Sequence, residues 1–162
     1  MIGHPIIRHP SLLATWDRKY YEFALYIATK WSKDPRRKVG AVLCSSDYRC
    51  TSAGVNGLPP GFDDSLLLDR DKKNLWVLHA ERNAIDRAYF DLKGSKMFVT
   101  SPPCIQCASS MVSVGVEMIF CPAPDPKSSW YEQQVAAQDC GARFILVEDY
   151  QLPDSDFPSI GD

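Results

Sequence analysis

From residue 79 to residue 147 the chain alternates helix-length and strand-length segments at a pace that leaves few folds open. A helix over about 79–91 precedes a strand "KMFVT" (96–100), and a helix over about 104–115 precedes a strand "EMIFC" (117–121). A helix over about 128–140 and a strand "RFILV" (143–147) complete the series. Short apolar strands separated by helices imply crossover units around a largely parallel sheet, so the fold class is α/β. Upstream, Trp16, Tyr20, Phe23, Ala24, Ile27 and Trp31 recur at intervals of three and four, one apolar stripe on a helix from about 12 to 32. "KDPRR" ends it, because proline disfavours helical geometry in the residue before it. "KVGAVLC" (38–44) and "RCTSAGVN" (49–56) then read as an antiparallel hairpin around the turn "SSDY".

Residues 57–75, "GLPPGFDDSLLLDRDKKNL", are rich in proline, glycine and aspartate and read as an irregular connection. Connections of that length in a compact domain are functional or disordered, which makes this one a candidate lid. The 162 residues are the size of one domain, with a core over about 16–148. A tail at 151–162, containing Pro153 and Pro158, is expected to be loosely held.

No apolar run approaches the roughly 18 residues that span a bilayer, and "MIGHPIIRHP" lacks the apolar core of a secretory signal. A membrane is therefore not expected as a partner, and the location expected is cytoplasmic. Without export, the 6 cysteines suit metal binding or burial better than a disulfide framework. The formal net charge of -2 gives no basic footprint, so no nucleic acid polymer is expected as a partner.

In "SPPCIQCA" (101–108), Cys104 and Cys107 fall at i and i+3, so both sulfurs project from one side of a first helical turn. The partial positive charge of a helix N-terminus favours thiolate and hence metal ligation. Such a pair alone leaves three readings open: a redox dithiol, half of a structural zinc site, or two buried positions on a helix face. His79, in "HAERNAI" (79–85), is one of 3 histidines and also opens a helix. A capping or core histidine is the commoner role, but two helix N-termini on neighbouring crossover units can converge on one ion. One histidine and two cysteines make three ligands, whereas structural zinc sites are usually closed by four. Water in the fourth position would have its pKa lowered to about 7, a catalytic arrangement. Closure by Cys44, Cys50, Cys121 or Cys140 is the structural alternative. Glu81, two residues after His79, cannot lie beside the imidazole on one stripe, but it can point past a metal toward a substrate and shuttle protons. Its bland role is to complement the helix dipole.

These half-motifs resemble the H-x-E and P-C-x-x-C signature of the zinc-dependent cytidine deaminase superfamily. Within it, "SKDPRRKVGAV", "GVNGLPPGFDD", "HAERNAI", "FVTSPPCIQCA" and "CGARFILV" are similar to the deoxycytidylate (dCMP) deaminases, over about Trp16 to Val147. The resemblance implies a cytidine deaminase-like three-layer α/β/α fold, a mixed five-stranded sheet flanked by helices. It also implies one Zn2+ per chain on His79, Cys104 and Cys107, with Glu81 as general acid/base. Asn56 would hydrogen-bond the deoxyribose, although "NG" is also a strong turn signal. The backbone N–H of Ala80 would contact the pyrimidine carbonyl. The implied reaction is hydrolytic, converting the small-molecule nucleotide dCMP to dUMP for thymidylate synthesis, with ammonia released. The resemblance further implies a homo-oligomer, a hexamer, with dCTP and dTTP as effectors.

The sequence departs from that family in places. Many relatives carry a phosphate-holding tyrosine after the strand that follows the cysteine helix; here "FCPAPDPKSSWY" places Asp125 near that position, with Trp130 and Tyr131 a few residues on. Lys33, Arg36, Arg37 and Lys38 form a basic cluster that reads either as a phosphate site or as a solvated turn. Phe62 stands where many relatives have a small residue or cysteine. Segment 57–75 lacks the Cys and His ligands of a second zinc. Competing functions are deamination of another amino base (deoxycytidine, cytosine, dCTP, guanine or a tRNA adenosine), a non-catalytic zinc-stabilised module, and a redox dithiol. Glu81 argues against the module, and the acidic balance argues against tRNA.

Overall fold

The structure is a computed structural model that describes residues 6–148; the tail expected at 151–162 lies outside them. Among the described residues one sheet contains β1 (Ile6–Arg8), β2 (Gly40–Cys44), β3 (Thr51–Val55), β4 (Lys96–Val99), β5 (Met118–Pro122) and β6 (Arg143–Val147). Their order is β1-β6-β5-β4-β2-β3. β2 is antiparallel to both β3 and β4, while β4–β5, β5–β6 and β6–β1 are parallel. The five expected strands thus form the expected mixed sheet. A sixth, β1, adds to its edge, and at three residues it is too short to declare itself by alternation.

The helices are α1 (Thr15–Trp31), α2 (Arg70–Trp76), α3 (Ala80–Asp86), α4 (Ile105–Ser113) and α5 (Tyr131–Ala137). Successive strand residues point to opposite faces, and the sequence fills both with apolar side chains. Val42, Phe98, Phe120, Ile145 and Val147 pack on one face with Tyr21, Ala24 and Ile27 of α1. Their neighbours Leu43, Met97, Ile119, Phe144 and Leu146 pack on the other with Ala80 and Ala84 of α3 and Cys107 and Met111 of α4. The result is three layers, α/β/α, with each fully buried large side chain contributing about 1.5–3 kcal/mol.

Two glycines set how closely the helices approach. A Cβ on Gly40 would stand 2.2 Å from the Ala24 carbonyl oxygen of α1. A Cβ on Gly54 would stand 2.5 Å from the Ala84 nitrogen and 2.7 Å from the Ala80 oxygen, so α3 lies directly on the β3 backbone. That contact fixes the height of the α3 N-terminus, where His79 and Glu81 sit.

Two expectations need correction. Segment 57–75 is not irregular throughout: a 3-10 helix spans Asp64–Leu68 and α2 follows, with the Asp69 side chain accepting from the Lys72 N–H at 3.2 Å. α3 ends at Asp86 rather than near 91, because the chain must turn into β4; the Asp91 side chain accepts from Lys93 N–H, and Gly94 takes a φ of 74°. No helix among the described residues is long and apolar enough to cross a membrane.

Candidate metal centre and substrate cavity

β3 and β4 are both antiparallel to β2, so they run the same way and end at one edge of the sheet. The segment that returns from β3 enters α3 through His79, its N-cap, and β4 leads into α4 through Cys104, its N-cap. The topology therefore brings both helix starts to the carboxyl edge of the sheet, beside the switch between antiparallel and parallel neighbours of β4. There His79 Nδ1 lies 3.6 Å from Cys104 Sγ and 3.3 Å from Cys107 Sγ. All three donor atoms lie within 4.8 Å of one another. Bonds of about 2.3 Å to sulfur and about 2.0 Å to nitrogen at tetrahedral angles separate the donor atoms by about 3.6 Å, so these residues fit a zinc ion. Among the described residues no fourth His, Cys, Asp or Glu donor joins the group. Cys44, Cys50, Cys121 and Cys140 are free thiols elsewhere, so the four-cysteine-type closure is not formed.

The three donors are electrostatically linked to one another. The hydrogen bond from Cys107 holds the Cys104 thiol down at about 4, His79 adding to it against the opposing effect of burial. The same hydrogen bond, with burial, pushes Cys107 up. The hydrogen bond to Cys104 raises His79 above the ordinary histidine range. Cys104 also accepts the Cys107 backbone N–H at 3.5 Å, the contact that caps α4.

Glu81 is 4% exposed and lines the cavity in front of these donors. Burial pushes its carboxyl above the usual range, opposed by its own backbone N–H and by His79. A carboxyl in that state is suited to exchanging protons near neutrality.

The cavity holds about 300 Å³. His79, Ala80, Glu81 and Cys104 line it together with Arg36, Arg37 and Asn56 from the segments after α1 and β3. Ser101, Pro102, Trp130 and Gln134 add to the lining, and the Trp130 ring meets His79 edge-on at 6.5 Å between centroids. Arg70, Lys73, Asn74 and Val77, from α2 and the residue after it, line it too, as do Asp34 and Val39.

The expected site residues fare differently. Asn56 is in the cavity wall, but its carboxamide is already engaged: Oδ1 accepts from Ser32 Oγ at 2.8 Å and Val39 N–H at 2.9 Å. Its Nδ2 donates to the Arg37 carbonyl at 2.7 Å and, at 3.5 Å, to Asp34. Arg36 and Arg37 line the cavity, and Arg37 donates to Ser101 Oγ. Lys33 does not line it; it pairs with Asp64 at 2.8 Å on the surface. Asp125 does not line it either; it closes a turn by accepting from Lys127 N–H at 2.9 Å. Reading the sequence missed Arg70, Lys73, Asn74, Gln134 and Asp34. The first three carry a usable signal, a spacing of i, i+3 and i+4 in "RDKKN".

A fold of this kind, with zinc donors at its switch point and a buried carboxyl beside them, defines a zinc-dependent hydrolytic deaminase. The chain belongs to the family described as cytidine and deoxycytidylate deaminase zinc-binding region, whose model matches residues 14–123. It is 38% identical to an uncharacterized deaminase in the luxG 3' region of Aliivibrio fischeri over 131 residues, 79% of this chain and 88% of that one. It is 35% identical to the deoxycytidylate deaminase of Homo sapiens over 111 residues, 63% of this chain and only 62% of the human enzyme. Among solved structures, the dCMP deaminase of cyanophage S-TIM5 in complex with dCMP and dUMP superposes with a TM-score of 0.66 at 24% identity, over 82% of this chain and 97% of that one. The family binds zinc, and the three-donor cluster gives this chain a place for one ion.

Proposed function

We propose that the protein hydrolyses dCMP to dUMP and ammonia. The observation that carries this reading is the buried Glu81 carboxyl beside a three-donor metal cluster on the wall of a cavity of about 300 Å³. That volume lies at the lower end of the range for small-molecule sites and suits a mononucleotide. The relatives at 30% identity or more include deoxycytidylate deaminases, which favours dCMP among amino-substituted bases.

His79, Cys104 and Cys107 would hold the zinc. When bound, zinc supplies a Lewis acid that brings the acidity of water close to neutral pH. Glu81 takes one proton from the attacking water and gives it to N3, then takes the second from the new C4 hydroxyl and gives it to the departing amine; C4 gains the oxygen and loses ammonia. Transfer by one positioned carboxyl contributes about 10²–10⁴-fold. The Ala80 N–H holds the pyrimidine carbonyl. A sugar hydroxyl reaches Asn56 most cheaply in place of its 3.5 Å contact to Asp34, the longest of its four bonds. Arg36 and Arg37 take the phosphate; Lys33, held by Asp64, does not. In this reading the enzyme is cytoplasmic and a homo-oligomer, a hexamer by resemblance, with dCTP and dTTP as effectors acting around "GVNGLPPG". Its partners are nucleotides rather than membranes or nucleic acid polymers.

Ammonia release from cytosine, deoxycytidine, CMP, dCMP, dCTP and guanine, with and without dCTP or dTTP, tests this function. The highest kcat/KM is expected for dCMP. Release from guanine alone, or from none of the six, overturns it.

A further inference from the structure

Helix α2 turns one face toward the cavity: Arg70, Lys73, Asn74 and Val77 line it at i, i+3, i+4 and i+7. No residue of α2 is buried, and its Trp76 packs on Phe62 of the same connection at 5.1 Å between ring centroids. Lys73 ties the helix to the loop after α1. Its ammonium meets Asp34 Oδ2 at 2.5 Å, with the lysine side chain 12% exposed and the aspartate side chain 0% exposed. The other oxygen of Asp34 accepts the backbone N–H groups of Arg36 at 2.9 Å and Arg37 at 3.2 Å. One carboxylate therefore ties α2 to the loop that carries Arg36 and Arg37.

With Lys73 committed to Asp34, Arg70 is the remaining cation of that helix face. It stands one turn before Lys73, exposed at the cavity, and its guanidinium has no hydrogen-bond or ion-pair partner among the described residues. The Arg36 guanidinium is in the same position. Arg36 and Arg70 thus bring two forked cations to one cavity of about 300 Å³. A phosphate monoester, with two negative charges and three free oxygens, matches two forked donors, and a neutral nucleoside does not.

We propose that Arg70 is a specificity-determining residue that grips the substrate phosphate together with Arg36, and that the Lys73–Asp34 pair positions it. This rests on the reading of the substrate as a nucleotide. Steady-state kinetics on dCMP and deoxycytidine test it, using wild type, Arg70→Ala, Arg70→Lys and Lys73→Met, with calorimetric binding of dUMP as a readout independent of turnover. Arg70→Ala is expected to lower the dCMP-to-deoxycytidine ratio of kcat/KM by about tenfold or more, through KM, the order of loss for one charge-assisted hydrogen bond. It should weaken dUMP binding in parallel. Arg70→Lys should recover part of both, because it keeps the charge and loses the fork. Lys73→Met should lower the same ratio with zinc content and circular dichroism unchanged. A wild type that prefers dCMP, with the ratio and dUMP affinity unmoved in Arg70→Ala, overturns the role of Arg70 and leaves the function standing. An equal fall on both substrates makes Arg70 structural and also overturns its role. A wild type that treats dCMP and deoxycytidine alike overturns the nucleotide reading and this inference together.

Discussion

A carboxyl walled in by sulfur, imidazole and backbone is a poor place for a permanent charge, and Glu81 occupies that place. The Glu81→Gln variant keeps its volume and hydrogen-bonding shape but cannot carry a proton. It is expected to retain one zinc per chain by elemental analysis while ammonia release falls by about 10²–10⁴-fold; a variant that keeps a tenth of wild-type kcat removes Glu81 from the proton path. His79, Glu81, Cys104 and Cys107 were legible in the sequence because metal and proton chemistry admit few residue types and fix their spacing. Asp34 was not. In "SKDPRRK" it reads as one charge in a solvated turn, and only the fold shows it buried under Lys73. Asn56 was half legible: its place in the cavity was anticipated, but its bonds to Ser32, Val39 and Arg37 depend on three segments meeting.

At the scale of elements, α3 carries the site because β3 lets it sit close. Gly54→Ala forces a Cβ into the α3 backbone and is expected to cost about 1–3 kcal/mol in urea unfolding, with a loss of activity as the helix shifts. Gly57→Ala, whose Cβ would meet nothing within 4 Å, is the matched control and should unfold as wild type does. Equal stabilities for the two variants would contradict the packing described. The tie between α2 and the arginine loop has a pH signature. Burial pushes the Asp34 carboxyl up, but hydrogen bonds from Lys73, Arg36 and Arg37 prevail and hold it below its ordinary value. A carboxyl depressed by folding stabilises the native state above the unfolded aspartate pKa of about 3.9. That stabilisation is lost as pH falls through the lower folded value. Thermal melts should therefore show wild type more stable than Asp34→Asn at pH 6, with the gap closing below about pH 4; a gap independent of pH would contradict the ion pair. Protonation of the metal ligands affects both proteins alike. α2 itself escaped the sequence reading for a physical reason. Periodicity detects helices that bury an apolar stripe, and this one buries no residue and presents Arg70, Lys73 and Asn74 to the cavity.

Over the whole molecule, the alternation of strands and helices was readable because both sheet faces are covered and every buried strand is apolar. β1 was not, being three residues paired only to the β6 edge. The two half-sites meet only through the sheet: β2 lies between β3 and β4 and makes their carboxyl ends coincide. Zinc across that junction joins α3 to α4, so a chelator is expected to lower Tm, and added zinc to restore it, by an amount that grows with free zinc concentration. A Tm indifferent to chelation would show that the ion does not bridge the two helices. The most direct test of the account is the X-ray absorption spectrum of zinc in the purified protein. Two sulfur neighbours at about 2.3 Å and two nitrogen or oxygen neighbours at about 2.0 Å, at one zinc per chain, are the result expected of a three-ligand centre with one position open to solvent. Three or four sulfur neighbours, or no stoichiometric zinc, would contradict it.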